Sequence, residues 1–426
     1  MNILLFPVGS YGDVHPFIGL AGELKRRNHQ VTLYTSEHFR SLAERAEIDY
    51  FAVDTEEEYK KAVYDPDIFH PLRGIGAVAR NVVLPWQRRH YEIVAQALAR
   101  GGDAPLVMVG SALSQGLQMA HATFQIPLAT IHLQPAVLWS NIHPPKVTGL
   151  LPTGPGMPRW WNAGLYRLAE RIMIDPVLKG PTNAFRRELG LPPIRGGITQ
   201  LWHSPQRVIG MFPEWYAPPQ ADWPANTVLT DFPLWDESEL GALNNDVRAF
   251  LDAGDPPIIF TPGSAMVHGH KFFEEAIAAC QLLDRRGILL TRFPEQLPAQ
   301  LPSGIRHFSF VPLSQLLPHA AALVYHGGIG TLSQACAAGI PHLIMPLSHD
   351  QPDNADRVER LGIGATLYPS QFRARKIAEK LQHLLQSDQT NQACREISAR
   401  LANPQGVTRT ADEIERLLAQ DALAET

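Results

Sequence analysis

VYHGGIGTLSQACAAGIPHLIMPLSHDQPDN, residues 324–354, decides the fold of this chain. The apolar run Ala321 to Tyr325 reads as a buried strand that stops at His326, Gly327, Gly328 and Gly330. Thr331 then opens a stretch with helical spacing, Leu332, Ala335, Cys336 and Ala338, closed by Gly339 and Pro341. Strand, glycine turn and helix, in that order, aim free backbone N–H groups at an anion. A second strand, His342 to Pro346, ends in Asp350, Gln351 and Asn354. Two polar clusters therefore fall on the carboxyl ends of neighbouring strands, where open α/β sheets bind ligands. The plainer reading makes His326 a core histidine and the glycines a turn. Convergence of His326, Thr331, Asp350, Gln351 and Asn354 favours a phosphate-and-sugar site.

These residues resemble a known signature. His-Gly-Gly-x-Gly-Thr, then Ala335 to Pro346 in the pattern AxxxGxPxxxxP, then Asp350-Gln351 with Asn354, Ala355 and Arg357, is similar to the donor signature of family 1 glycosyltransferases. The resemblance implies the GT-B fold: α/β, two Rossmann-like, doubly wound parallel-sheet domains facing a cleft. It also implies inverting transfer from a UDP- or TDP-sugar. On the matching positions it makes His326, Gly328, Gly330 and Thr331 the diphosphate cradle. Asp350 and Gln351 become contacts for sugar hydroxyls, and Asn354 a contact for phosphate. Ser264, after the strand Ile258 to Thr261, also meets phosphate, while Phe310 stacks on the base and Val311 reads its edge. Gln334 stands where plant members carry a ribose-holding Glu, and Leu313 where they carry Gln. Both departures leave TDP open beside UDP.

Upstream, Asn2 to Val8 reads as a buried parallel strand, followed by Gly9-Ser10-Tyr11-Gly12-Asp13-Val14-His15-Pro16 and a helix from about Phe17 to Arg27. Strands at Val31 to Thr35 and Tyr50 to Val53 complete a βαβαβ pattern. Gly9-x-x-Gly12 lacks the third glycine of a dinucleotide fingerprint. The loop is similar to that of sterol and glycopeptide glycosyltransferases, which implies that Asp13 is the general base. Capping a helix that begins near Pro16 is the alternative role for Asp13. His15 is the competing base, its ordinary pKa being closer to neutrality. Asp65-Pro66-Asp67 has the look of a metal motif, but the central proline marks a turn.

Residues 135–215 carry Trp139, Trp160, Trp161, Trp202 and Trp215 among many prolines and few charges. The resemblance places the variable acceptor pocket here. Tyr11, Trp139 and Trp202 are the candidate acceptor contacts, for an acyl chain, sterol, carotenoid or polyphenol. Core packing is the ordinary alternative for any one tryptophan. Trp202-His203-Ser204-Pro205-Gln206, Phe212 to Gln220 and Thr230 to Leu234 resemble the rhamnosyltransferases of rhamnolipid synthesis, which use TDP-rhamnose.

The expected organisation is an acceptor domain over residues 1–216, a proline-rich linker over 217–240, a nucleotide-sugar domain over 241–405 and a returning helix over 406–426. The chain has 426 residues, 45 % of them apolar, and a formal charge of −5, which gives no electrostatic case for nucleic acid. Three cysteines stand far apart with no metal or disulfide spacing. The N-terminus lacks the basic region of a signal peptide. A cytoplasmic location follows, and an apolar acceptor favours loose attachment to the inner membrane face. No metal and no cofactor are expected; the nucleotide-sugar is a co-substrate. Two alternatives share parts of this pattern, a sugar-nucleotide epimerase and a non-catalytic glycosyltransferase helper. The tryptophan-rich segment argues against the first, and the presence of His326, Thr331, Asp350 and Gln351 against the second.

Overall fold

Short apolar strands joined through helices build two all-parallel sheets. The computed structural model describes residues 1–70, 73–101, 104–146, 152–241, 243–264, 266–267 and 269–424, the last five by backbone alone. Contacts divide the chain into two compact units. One holds Met1–Gly9, Asp13–Pro233 and Gln405–Thr426; the other holds Ser10–Gly12 and Leu234–Pro404.

The first sheet contains β1 (Asn2–Phe6), β2 (Gln30–Thr35), β3 (Asp49–Ala52), β4 (Leu106–Ser111), β5 (Leu128–His132), β6 (Arg207–Gly210) and β7 (Thr227–Leu229). Its order is β3-β2-β1-β4-β5-β6-β7. Ile3 sits in register with Val31 on one side and Val107 on the other. Central strands are buried through their length, so they read as continuous apolar runs rather than alternating ones. The second sheet contains β8 (Ile258–Thr261), β9 (Gly287–Leu290), β10 (Ile305–Phe308), β11 (Ala322–Tyr325), β12 (His342–Ile344) and β13 (Gly364–Thr366). Its order is β10-β9-β8-β11-β12-β13. Phe260, Phe272, Phe273, Val324, Leu343 and Leu381 belong to its core. In each sheet the strand order reverses once, between β1 and β4 and between β8 and β11, and such switch points open crevices at the strands' carboxyl ends.

Five helices matter below: α1 (Tyr11–Arg26), α2 (Arg159–Ala169), α3 (Ile329–Ala338), α4 (Gln351–Arg360) and α5 (Gly406–Ala424). Two elements differ from the sequence reading. Residues 217–240 are not a linker throughout, because Thr227–Leu229 is β7, with Val208 opposite Thr227. A three-residue strand among prolines carries too short a pattern to register as one. A further helix, Asp388–Arg400, lies where none was read; Ser387 caps it through Thr390 N–H at 3.1 Å.

The returning helix α5 is held within the first unit by charge. Arg27, just past α1, reaches Asp412 at 2.7 Å and Glu415 at 2.9 Å, and its guanidinium also contacts Glu23. His29 meets Glu415 at 2.7 Å. Thr230 and Thr410 hydroxyls lie 3.0 Å apart. Arg27→Ala therefore leaves several partly buried carboxylates facing one another. It is expected to lower stability by about 2–3 kcal/mol and to speed hydrogen exchange across residues 406–424 before that of β1. Unchanged exchange in that helix would sink the idea.

Candidate active site

Polar groups gather at the switch point of the second sheet. Tyr325 pairs with Thr261, so His326 leaves β11 directly beside the Pro262-Gly263-Ser264 turn that follows β8. The rings and glycines interlock. A Cβ on Gly263 would stand 2.8 Å from His326 Cε1, and one on Gly328 2.5 Å from His326 Nε2. Both glycines are thus needed to make room for the imidazole, a reason the sequence pattern does not reveal. Burial pushes the His326 pKa down to about 4, which keeps the ring neutral at pH 7. Nδ1 of His326 is buried with no partner among the described residues.

Helix α3 begins beside that ring. Gly328 is its N-cap and offers no side-chain acceptor. The first helical bond runs from Leu332 N–H to Gly328 C=O at 3.0 Å. The N–H groups of Ile329, Gly330 and Thr331 precede it and have no helical acceptor. Gln334 is buried one turn further along α3, and Thr331 is half-buried. Ser264 is exposed, and the adjoining Ala265 lies outside the described residues. Phe310 is 39 % exposed past β10, and Val311 is buried.

The second polar cluster is only partly as expected. Asn354 is fully buried, and its amide donates to Gly327 C=O at 2.8 Å and to Asp350 Oδ2 at 2.7 Å. Asn354 thereby supports the glycine turn from below. Gln351 is buried too, and its Oε1 accepts from Leu347 N–H at 2.8 Å. Asp350 is half-buried at the N-cap of α4, where its Oδ2 holds the Asn354 amide.

In the first unit, Asp13 and His15 belong to the first turns of α1, which begins at Tyr11. The helix starts earlier than the sequence suggested, because Pro16 is accommodated inside it at the loss of one backbone bond. Asp13 therefore does not cap a helix starting at Pro16. Its carboxylate folds over Gly9, whose φ is +139° and where a Cβ would stand 2.2 Å from Asp13 Oδ2. In the turn after the neighbouring strand β4, the Ser114 hydroxyl donates to Phe6 C=O at 2.6 Å.

The tryptophans do not form one pocket. Trp139 stacks on Tyr166 at 4.9 Å and meets Trp202 edge-on at 5.7 Å. Trp215 packs instead against Phe232, and Trp160 and Trp161 are exposed. Asp65-Pro66-Asp67 is a turn, with Asp65 Oδ1 accepting from Asp67 N–H at 2.9 Å. Among the described residues, no group of three or more His, Cys, Asp or Glu side chains is placed to hold a metal ion.

Residues 3–99 match the glycosyltransferase family 28 N-terminal domain, and residues 282–419 match the C-terminal domain of the erythromycin biosynthesis protein CIII-like family. The chain is a glycosyltransferase of the GT-B fold. Streptomyces fradiae O-mycaminosyltylonolide 6-deoxyallosyltransferase is 29 % identical to this glycosyltransferase, over 87 % of this chain and 86 % of its own. The structure of glycosyltransferase VinC in complex with DTDP superposes with a TM-score of 0.70 at 17 % identity, covering 99 % of this chain and 100 % of its own. Spinosyn rhamnosyltransferase SpnG superposes at 0.66 and 17 % identity, covering 97 % and 100 %. The enzyme transfers a sugar.

Three features of the glycosyltransferase escaped the sequence reading. His349, next to Asp350, holds a left-handed φ of +59°, a strained conformation often kept at functional sites. Arg292, at the end of β9, lays its guanidinium 5.0 Å from the Phe310 ring centre. His132 at the end of β5 and His203 share a 2.9 Å hydrogen bond, and burial lowers both pKa values. None has a sequence pattern of its own.

Proposed function

We propose that this glycosyltransferase moves a hexose, rhamnose or glucose, from a TDP- or UDP-sugar to a hydroxyl of a hydrophobic acceptor. Transfer inverts the anomeric carbon and needs no metal. The observation that carries this reading is the neutral His326 set against the uncapped N-terminus of α3. Breaking the anomeric C–O bond leaves negative charge on the diphosphate. The His326 ring N–H, the N–H groups of Ile329 to Thr331 and the Thr331 hydroxyl are preorganised donors for that charge. Asp350 accepts from sugar hydroxyls and Phe310 stacks on the base. The acceptor oxygen forms its bond to the anomeric carbon as the phosphate oxygen leaves, and Asp13, with His15 as the alternative base, takes the acceptor's proton. Trp139 and Trp202 supply an apolar acceptor wall.

TDP is favoured over UDP, because Gln334 replaces the ribose-holding Glu and the VinC structure contains DTDP. The 6-deoxyallosyl group in the S. fradiae enzyme's name favours a 6-deoxyhexose such as rhamnose. At a hundred times its Kd, a ligand stabilises the folded state by about 2.7 kcal/mol, which lifts Tm by several degrees. TDP and TDP-rhamnose are expected to give that rise, and UDP and UDP-glucose less. TDP release is expected to depend on acceptor and to survive EDTA. A larger shift with UDP-glucose reverses the donor assignment, and loss of turnover in EDTA removes the metal-free mechanism.

A further inference from the structure

The exposed aromatic face of α2 is not used by the chemistry above. Trp160 is 73 % exposed, Leu168 51 % and Ile172 62 %, with Trp161 and Met157 also exposed. Monomeric proteins rarely gather such residues on one face. Here the spacing collects them. Trp160 and Trp161 stand four and three residues before Gly164, and Leu168 and Ile172 follow at steps of four, the helix continuing beyond Ala169 through the π-helical turn Glu170–Ile174.

Charge on this segment is sorted as well. Arg159, Arg167 and Arg171 are exposed. Its acids turn inward. Glu170 accepts from Thr199 N–H at 2.9 Å, and Asp175 accepts from Ile198 N–H at 3.0 Å while holding Lys179 at 3.3 Å. Tyr166, on the opposite side, is buried against Trp139. The outward face is thus apolar and cationic on a chain whose formal charge is −5. Tryptophan suits the boundary between headgroups and acyl chains, with an apolar ring and a polar N–H. No helix among the described residues is long and apolar enough to cross a membrane.

We propose that this face, Trp160, Trp161, Leu168 and Ile172 flanked by Arg159, Arg167 and Arg171, docks the first unit on an anionic lipid bilayer. The helix lies in the interface plane, its apolar residues among the acyl chains and its arginines at the headgroups. This goes beyond the donor and acceptor reading and does not depend on it.

The test is co-sedimentation of the full chain with vesicles of phosphatidylcholine alone or mixed equally with phosphatidylglycerol. Binding is expected to the mixed vesicles and to weaken at high salt. Removing three interfacial charges with Arg159→Gln, Arg167→Gln and Arg171→Gln together should weaken it on the order of a hundredfold. Trp160→Ser, Leu168→Ser and Ile172→Ser together should weaken it more than about a hundredfold. These side chains are exposed, so thermal melting of both variants should match the parent protein. Parent protein that ignores mixed vesicles, or variants that bind as tightly as the parent, overturns the proposal. So does an apolar variant that instead changes oligomeric state on sizing without affecting lipid binding, since the face would then meet protein.

Discussion

His326→Ala is expected to lower kcat by about two to three orders of magnitude, the usual cost of deleting one preorganised donor to a developing oxyanion. The geometry predicts how the loss divides. His326 is clamped between Gly263 and Gly328, so its position is fixed before the donor arrives. A fixed donor contributes more as charge grows on the leaving oxygen than it does to ground-state binding. KM for the nucleotide-sugar should therefore rise far less than kcat falls. His326→Gln, which keeps a donor but alters its reach, should recover part of the rate. Measuring kcat and KM with saturating acceptor decides the matter. A variant that loses only donor affinity would assign His326 to uniform binding, and the main charge stabilisation would then rest on the N–H groups of α3.

Acid is expected to destabilise the enzyme steeply. Burial holds His326 and His203 at about 4, His90 and His342 at about 3, and His132 well below its ordinary value. In the unfolded chain each titrates near 6.5. Between that value and the folded pKa, the unfolded state binds protons that the folded state refuses. Stability is therefore undiminished above about pH 6.5 and lost as pH falls from there towards 4. Each such histidine costs on the order of 2 kcal/mol between pH 7 and pH 5. Several together approach the whole stability of a typical domain, about 5–15 kcal/mol. Urea titrations from pH 8 downwards would show it. His90 offers a clean control, lying between the Phe6 and Trp86 rings with neither nitrogen partnered among the described residues. His90→Phe should flatten the pH dependence by one group's share; an unaltered slope would remove His90 from the account.

Much of the fold was legible because strands buried on both faces spell themselves as apolar runs bounded by glycine. Asn2 to Phe6 and Ala322 to Tyr325 are of this kind. The candidate donor cradle was legible for the same reason, since strand, glycine turn and helix are contiguous in sequence. What escaped depends on contacts between distant positions. The sequence of Asn354 offers an amide but not its bond to Gly327 C=O. Five tryptophans in one segment give no hint that two half-buried ones pair with each other, one packs on Phe232 and two face outward. The start of α1 was misplaced because proline was read as a boundary, whereas Pro16 sits inside the helix.

Residues 405–426 rejoin the unit that began at Met1, so Leu234–Pro404, the bulk of the second unit, is an insertion with both ends anchored in the first. On the ribosome, the first unit lacks α5 until residues 234–404 have all been synthesised, while the second can complete its sheet earlier. For chimera construction the donor half is a cassette with two splice points, near 233/234 and 404/405. A one-crossover swap would import a foreign α5 against Arg27 and His29, whereas a two-crossover swap leaves that ion-pair cluster native.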